Sequence, residues 1–274
     1  MKKYISILLL IITSFSISRQ ASSFTLIRVI LACDNNPMYI QFWPIVSRAW
    51  TQLVGVRPTL ALIADSSVTV DESLGDVIRF DPIPGVPTSL YAQAIRLLLP
   101  ALYENDFCII ADIDMIPLSK EYFQDSVKDI SDDKFVVYRD KGYPVEYKKF
   151  PMCYHAARGS VYKEVFNVHD KNSIPEIIKQ WHGFNLGWNT DELVLYWYLT
   201  HWKDFETRCT KLGHGVDGRI DRSAWGYDKQ QLVSKKYIDA HCLRPYMKYK
   251  LYIDQLVHDV GINMNTSNTS NIPQ

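Results

Sequence analysis

Apolar residues fall into two rhythms along the first half of the chain. From 25 to 34 the run Thr-Leu-Ile-Arg-Val-Ile-Leu-Ala-Cys-Asp is apolar but for one arginine and ends on an acid, the pattern of a strand buried on both faces. From 39 to 54, Ile40, Trp43, Val46, Ala49, Trp50 and Leu53 recur at helical spacing, with Pro44 early enough to be tolerated. A second buried strand is predicted over 58–65, again ending on an acid, and a short third over 76–80. Pro82, Pro84, Gly85 and Pro87 mark a loop. Residues 88–104 read as a helix that Pro100 must kink or interrupt, and 106–114 as a fourth strand. Beyond 120 the rhythm is less regular. Helices are predicted over 120–130, 160–168, 173–183 and 190–202, with Pro175 in a first turn and Thr190 as an N-cap, while 213–226 reads as a glycine-rich loop.

Strands alternating with helices predict an α/β fold, a mostly parallel sheet with helices on both faces. Ligands of such sheets bind at the carboxyl ends of the strands, where Asp34, Asp65, Asp112 and Asp114 fall. No G-x-G-x-x-G follows the first strand and no G-x-x-x-x-G-K-[ST] occurs. Composition narrows the class. Thirty Lys plus Arg balance thirty Asp plus Glu, and 47% of the 274 residues are hydrophobic. A disordered chain would be less apolar, and a nucleic-acid binder would carry a basic excess. Five cysteines are too few for a small disulfide scaffold, and several apolar runs of roughly 20 residues, the mark of a polytopic membrane protein, are missing. One domain over 24–260 accommodates the pattern.

The two ends read differently. Met1-Lys2-Lys3 followed by an uncharged stretch to Ser18 resembles a secretory signal peptide, residues 1–18, with a signal anchor as its rival. Either implies the secretory pathway, and contact with a membrane only if the segment stays uncleaved. Cys33 and Cys108 sit in apolar runs as small hydrophobes, Cys153, Cys209 and Cys242 in more polar ones, and no disulfide is assigned. Residues 262–274 form a polar tail, predicted disordered, with two Asn-x-Ser sequons beginning at Asn265 and Asn268.

The segment Cys108-Ile-Ile-Ala-Asp112-Ile-Asp114-Met-Ile-Pro-Leu carries the chemistry. Residues two apart in a strand point the same way, and two like charges aimed together are costly unless a cation joins them. A hard divalent cation takes such oxygens, and diphosphate oxygens can complete its shell. The bland reading is a solvated acidic strand end.

With Tyr91-Ala-Gln93-Ala-Ile-Arg96-Leu-Leu-Leu-Pro leading into this D-x-D, and Val29-Ile-Leu-Ala-Cys-Asp34-Asn35-Asn36 opening the fold, the chain resembles the GT-A nucleotide-diphospho-sugar glycosyltransferases, particularly their glycogenin- and galactosyltransferase-like branch. The resemblance covers 25–118 well and 150–246 loosely. It implies a Rossmann-like GT-A sheet and transfer of a hexose from a nucleotide diphosphate sugar, UDP-sugar favoured, to a hydroxyl of a carbohydrate or protein acceptor. It also implies a manganese or magnesium cofactor. Asp112 would contact ribose and metal, Asp114 would ligate the metal, and Arg96 would approach the diphosphate or brace the D-x-D turn. Asp34, Asn35 and Tyr39 would lie near base and ribose. His241, in Tyr237-Ile-Asp239-Ala-His241-Cys-Leu-Arg244-Pro245-Tyr246, would be a third metal ligand, although the glycine that follows this histidine in the family is missing and Arg-Pro-Tyr stands for its Lys-Pro-Trp; His214 is a lesser candidate.

Asp191 and Glu192 open a predicted helix. They would either serve the helix dipole or bind and activate the acceptor, one of them as general base if configuration is inverted. Trp188 is a candidate sugar platform, and Met152-Cys-Tyr154-His155-Ala-Ala-Arg158-Gly159-Ser160 weakly resembles an acceptor-side segment. Lys235, Lys236, Arg244, Lys248 and Lys250 gather near His241, to hold a diphosphate or simply to be solvated. Two other readings stand beside this one. A haloacid-dehalogenase-like phosphatase would use Asp112 as nucleophile, with Gly215-Val-Asp217-Gly-Arg-Ile-Asp221 as its distal acids. A secreted, non-catalytic carbohydrate- or partner-binding module would keep only the fold.

Overall fold

A computed structural model describes residues 24–265, so the N-terminal segment and the end of the tail lie outside the described residues. Ten strands are present among them: β1 Arg28–Asp34, β2 Arg57–Ile63, β3 Asp76–Phe80, β4 Phe107–Ile110, β5 Met115–Pro117, β6 Phe135–Val137, β7 His155–Arg158, β8 Cys209–Lys211, β9 Arg219–Ile220 and β10 Asp239–His241. The α-helices are α1 Pro37–Ile40, α2 Trp43–Ala49, α3 Thr88–Leu98, α4 Gly159–Phe166, α5 Ile174–Gly183, α6 Thr190–His201, α7 Phe205–Arg208, α8 Lys229–Val233 and α9 Tyr246–Asp259.

Seven strands form the main sheet in the order β3-β2-β1-β4-β7-β6-β8. The first four run parallel, β7 is antiparallel to both β4 and β6, and β8 is parallel to β6. This is the expected α/β sheet, parallel where the apolar runs are continuous. Alternation along β1 sorts its residues between two cores. Val29, Leu31 and Cys33 pack with α2 and Trp50 on one face, and Ile30 and Ala32 with α3 and the helices after it on the other.

The predicted helix over 39–54 breaks into α1, α2 and a wider turn over Trp50–Val54, which ends at Gly55 with φ 78°. Pro100 interrupts the next helix as expected: α3 stops at Leu98 and a 3-10 turn over Leu99–Leu102 follows. Thr190 is the first helical residue of α6 rather than its cap, its hydroxyl donating to the Gly187 carbonyl. At the tail, Ile262 is buried and Asn263 exchanges hydrogen bonds with Gln52, so the polar segment begins as packed chain.

A second, three-stranded sheet, β5-β10-β9, builds the site. Leaving β4, the chain turns through Asp112-Ile-Asp114 and enters β5. The D-x-D therefore occupies a turn, not a strand end. β10 pairs antiparallel with β5, setting His241 opposite Met115, and the Cys242 N–H donates to the Asp114 carbonyl at 2.9 Å. That register carries a histidine 127 positions downstream to the side of Asp114. β9 lies parallel on the other side of β10, which delivers Arg219 and Arg222.

Candidate active site

A cleft of about 430 Å³ opens at the carboxyl ends of β1 and β4, the place this topology provides for ligands. Its lining includes Asp34, Tyr39, Arg96, Asp112, Asp114, Asp191, Glu192 and His241, and also Trp188, Met152 and Cys153. Of the residues singled out from sequence, Asn35 is not brought in. Its side chain is exposed and outside the lining, because the turn after β1 is organised instead by Asp34 Oδ1, which accepts the Asn36 N–H at 3.1 Å. Asp34 Oδ2 accepts from Thr88 Oγ1 at 2.8 Å, tying β1 to the start of α3. Asp65 is exposed and turned to Ser67. His214 packs by its ring against Tyr122, away from the cleft lining.

Arg96 braces the D-x-D turn. It is buried, salt-bridged through Nη1 to Asp112 Oδ1, and reaches Asp191 Oδ2 through Nη2 at 3.1 Å. One guanidinium thus joins β4's end to α6's first turn. Burial pushes the Asp112 carboxyl upward, but Arg96 with His241 and Arg219 outweighs it and holds the group below the ordinary carboxylate range. Burial dominates at Asp191, raising it to about 6 despite Arg96. Glu192 accepts from Tyr143 Oη at 2.7 Å and from Lys149 Nζ at 2.8 Å. Lys149 also lies over the Tyr143 ring at 4.1 Å, so the segment after β6 is latched to the N-terminus of α6.

Asp114 is the most contested group. It is 4% exposed, and its Oδ2 takes Arg222 Nη1 at 3.0 Å and Arg244 Nε at 3.3 Å, with His241 Nε2 at 3.8 Å. His241 Nδ1 faces Asp221 Oδ2 at 3.3 Å. A carboxylate on one imidazole nitrogen fixes the ring and leaves the other for a ligand. Burial lowers the His241 pKa, Asp114 opposing, which favours the neutral ring. Among the described residues no three His, Cys, Asp or Glu side chains converge closely enough to enclose a metal ion as they stand.

Several lining residues were missed by sequence reasoning: Tyr143, Arg219 and Arg222. Arg219 is pinned by the fully buried Asp239, which also receives Arg139. The signal for Arg219 and Arg222 lay in the 213–226 stretch, which read as a loop or, through Asp217 and Asp221, as a phosphatase's distal acids. Of Lys235, Lys236, Arg244, Lys248 and Lys250, the basic residues that the sequence gathers near His241, Arg244 alone lines the cleft, while Lys250 pairs with Asp254. The phosphatase arrangement is not favoured. Asp217 and Asp221 are absent from the lining, Asp221 turns to Ser223 and His241, and Asp112 is tied to Arg96.

No protein-family model and no curated protein matches the chain. Among solved structures it is similar to the galactosyltransferase LgtC in complex with donor and acceptor sugar analogues, at 11% identity and a TM-score of 0.49, covering 90% of this chain and 98% of that one. It is likewise similar to an active-site mutant of LgtC, at 12% identity and a TM-score of 0.49, over 84% of this chain and 96% of that one.

Proposed function

We propose that the protein is a glycosyltransferase that moves a hexose from a nucleotide diphosphate sugar, UDP-sugar favoured, to a hydroxyl of a carbohydrate or protein acceptor. The observation that carries this reading is the convergence in one cleft of the D-x-D turn, His241, and arginines from three separate elements. Alternating acids and guanidinia suit a ligand that is itself anionic at one end and polyhydroxylic at the other.

A divalent cation, manganese or magnesium, belongs to this reading. The donor chemistry fits it: two carboxylates, and an imidazole oriented by Asp221. Asp112, Asp114 and His241 would hold it, and bound there it would neutralise charge developing on the departing diphosphate. The chain's own residues supply the rest. Arg96 sets the Asp112 carboxylate, and Asp34 and Tyr39 line the wall where base and ribose would lie. Glu192, held by Tyr143 and Lys149, stands at the dipole-positive end of α6, where it can orient the acceptor hydroxyl or take its proton. Trp188, exposed at the cleft's rim, offers a face for a sugar ring.

Residues 1–18 would deliver the enzyme to the secretory pathway. N-terminal sequencing of secreted material checks this, and an intact Met1 would refute cleavage.

The assay is release of UDP from UDP-hexoses with manganese, with and without a mixed panel of saccharide acceptors. Turnover lost on chelation, and reduced roughly 10²-fold or more in Glu192→Gln, supports the reading. No release from any nucleotide sugar would sink it and leave the non-catalytic module.

A further inference from the structure

Arg222 and Arg244 come from different elements and meet on a single oxygen. Arg222 sits in the turn after β9, which is fixed because Asp221 accepts hydrogen bonds from the Ser223 N–H at 2.9 Å and its hydroxyl at 2.6 Å. Arg244 follows β10 and is steadied against Tyr39, donating to its hydroxyl and lying 4.9 Å above its ring. Both guanidinia converge on Asp114 Oδ2. Exposure decides which side faces the ligand. The Asp114 side chain is 5% exposed, against 25% and 23% for Arg222 and Arg244, so the carboxylate is covered and the cations look into the opening.

Two positive charges on one carboxylate leave a surplus of one. A phosphoryl group presents more charge and more acceptor oxygens than a carboxylate, and guanidinium forks match it. We propose that Arg222 and Arg244 form the cleft's binding site for a phosphate or diphosphate group, and that in the free protein Asp114 occupies this site as an internal competitor. This rests on reading the cleft as a nucleotide-diphosphate-sugar site. It adds Arg222, and it reverses the sign expected for one variant. A residue that only ligates a metal should matter little to anion binding when no metal is present. Removing the charge of Asp114 in metal-free buffer should instead free two arginines.

The test is calorimetric titration of inorganic pyrophosphate and of UDP, in excess chelator at fixed ionic strength. Asp114→Asn is expected to bind pyrophosphate roughly tenfold or more tightly than the wild type, the scale of one charge-assisted hydrogen bond released. Asp114→Asn combined with Arg222→Gln should lose that gain. Should Asp114→Asn fail to fold, Arg222→Gln alone must weaken pyrophosphate binding and Arg222→Lys must restore part of it. An Asp114→Asn protein that binds pyrophosphate no tighter than wild type, or a double variant that keeps the gain, overturns the proposal. The two failures separate cleanly. Binding of UDP in manganese with no Asp114→Asn gain refutes the competitor alone, whereas a pyrophosphate gain with no UDP binding in any condition refutes the nucleotide reading alone.

Discussion

Arg96 shows how one side chain can hold a site in tension. Its guanidinium is the common partner of Asp112 and Asp191, two carboxylates that would otherwise face each other across a buried space. Removing one partner of a buried ion pair is far costlier than the pair is worth, because a charge is stranded. Arg96→Leu is therefore expected to destabilise the fold by about 3–5 kcal/mol in urea unfolding; a loss under about 1 kcal/mol would mean the two acids find other partners. His155 makes a second residue-level prediction. It is fully buried on β7, donates Nε2–H to the Pro151 carbonyl at 2.6 Å, and burial lowers its pKa to about 4. Its folded pKa lies below the unfolded value, so the neutral ring's contribution is complete above about 6.5 and is lost as pH falls toward 4. On the order of 3 kcal/mol is at stake. Denaturation midpoints across that window should fall in the wild type and fall less steeply in His155→Gln; parallel curves would refute the assignment.

The elements differ in how plainly the sequence announced them. β1, β2 and β4 were legible because a strand covered on both faces must be apolar throughout, and β3 matched its expected span. β9 and β10, of two and three residues, were not. They bury too little of their own to leave a pattern, and exist because β5 offers β10 an edge and β10 in turn offers one to β9. His241 was found through the resemblance of its segment, whereas Arg222 depends on where the β9 turn points. Gly218 is the hinge of that arrangement. Its φ is +74°, and a Cβ there would come 3.0 Å from the Ile238 side chain and 3.2 Å from the Lys236 carbonyl. Gly218→Val should cost roughly 1–3 kcal/mol and displace β9 from β10. The check is a thermal melt paired with UDP affinity, and both should decline; an unchanged melt would show that the turn relaxes freely.

At the scale of the whole molecule, a net charge of zero conceals a cleft crowded with both signs. Asp34, Asp112, Asp114, Asp191 and Glu192 share it with Arg96, Arg219, Arg222 and Arg244. Most of these charges are already paired in the free protein, so a ligand must displace protein partners rather than fill a bare field. The main sheet supplies the rigid platform, with a core on each face, and the small sheet closes the site from its C-terminal side. Binding should therefore depend on both halves of the chain at once. The most direct test is calorimetric titration of UDP and GDP into the full chain, with manganese and with chelator. The proposed function predicts one nucleoside diphosphate bound per chain, more tightly with manganese, and loss of the manganese effect in Asp114→Ala. No binding of either nucleotide under either condition would contradict it.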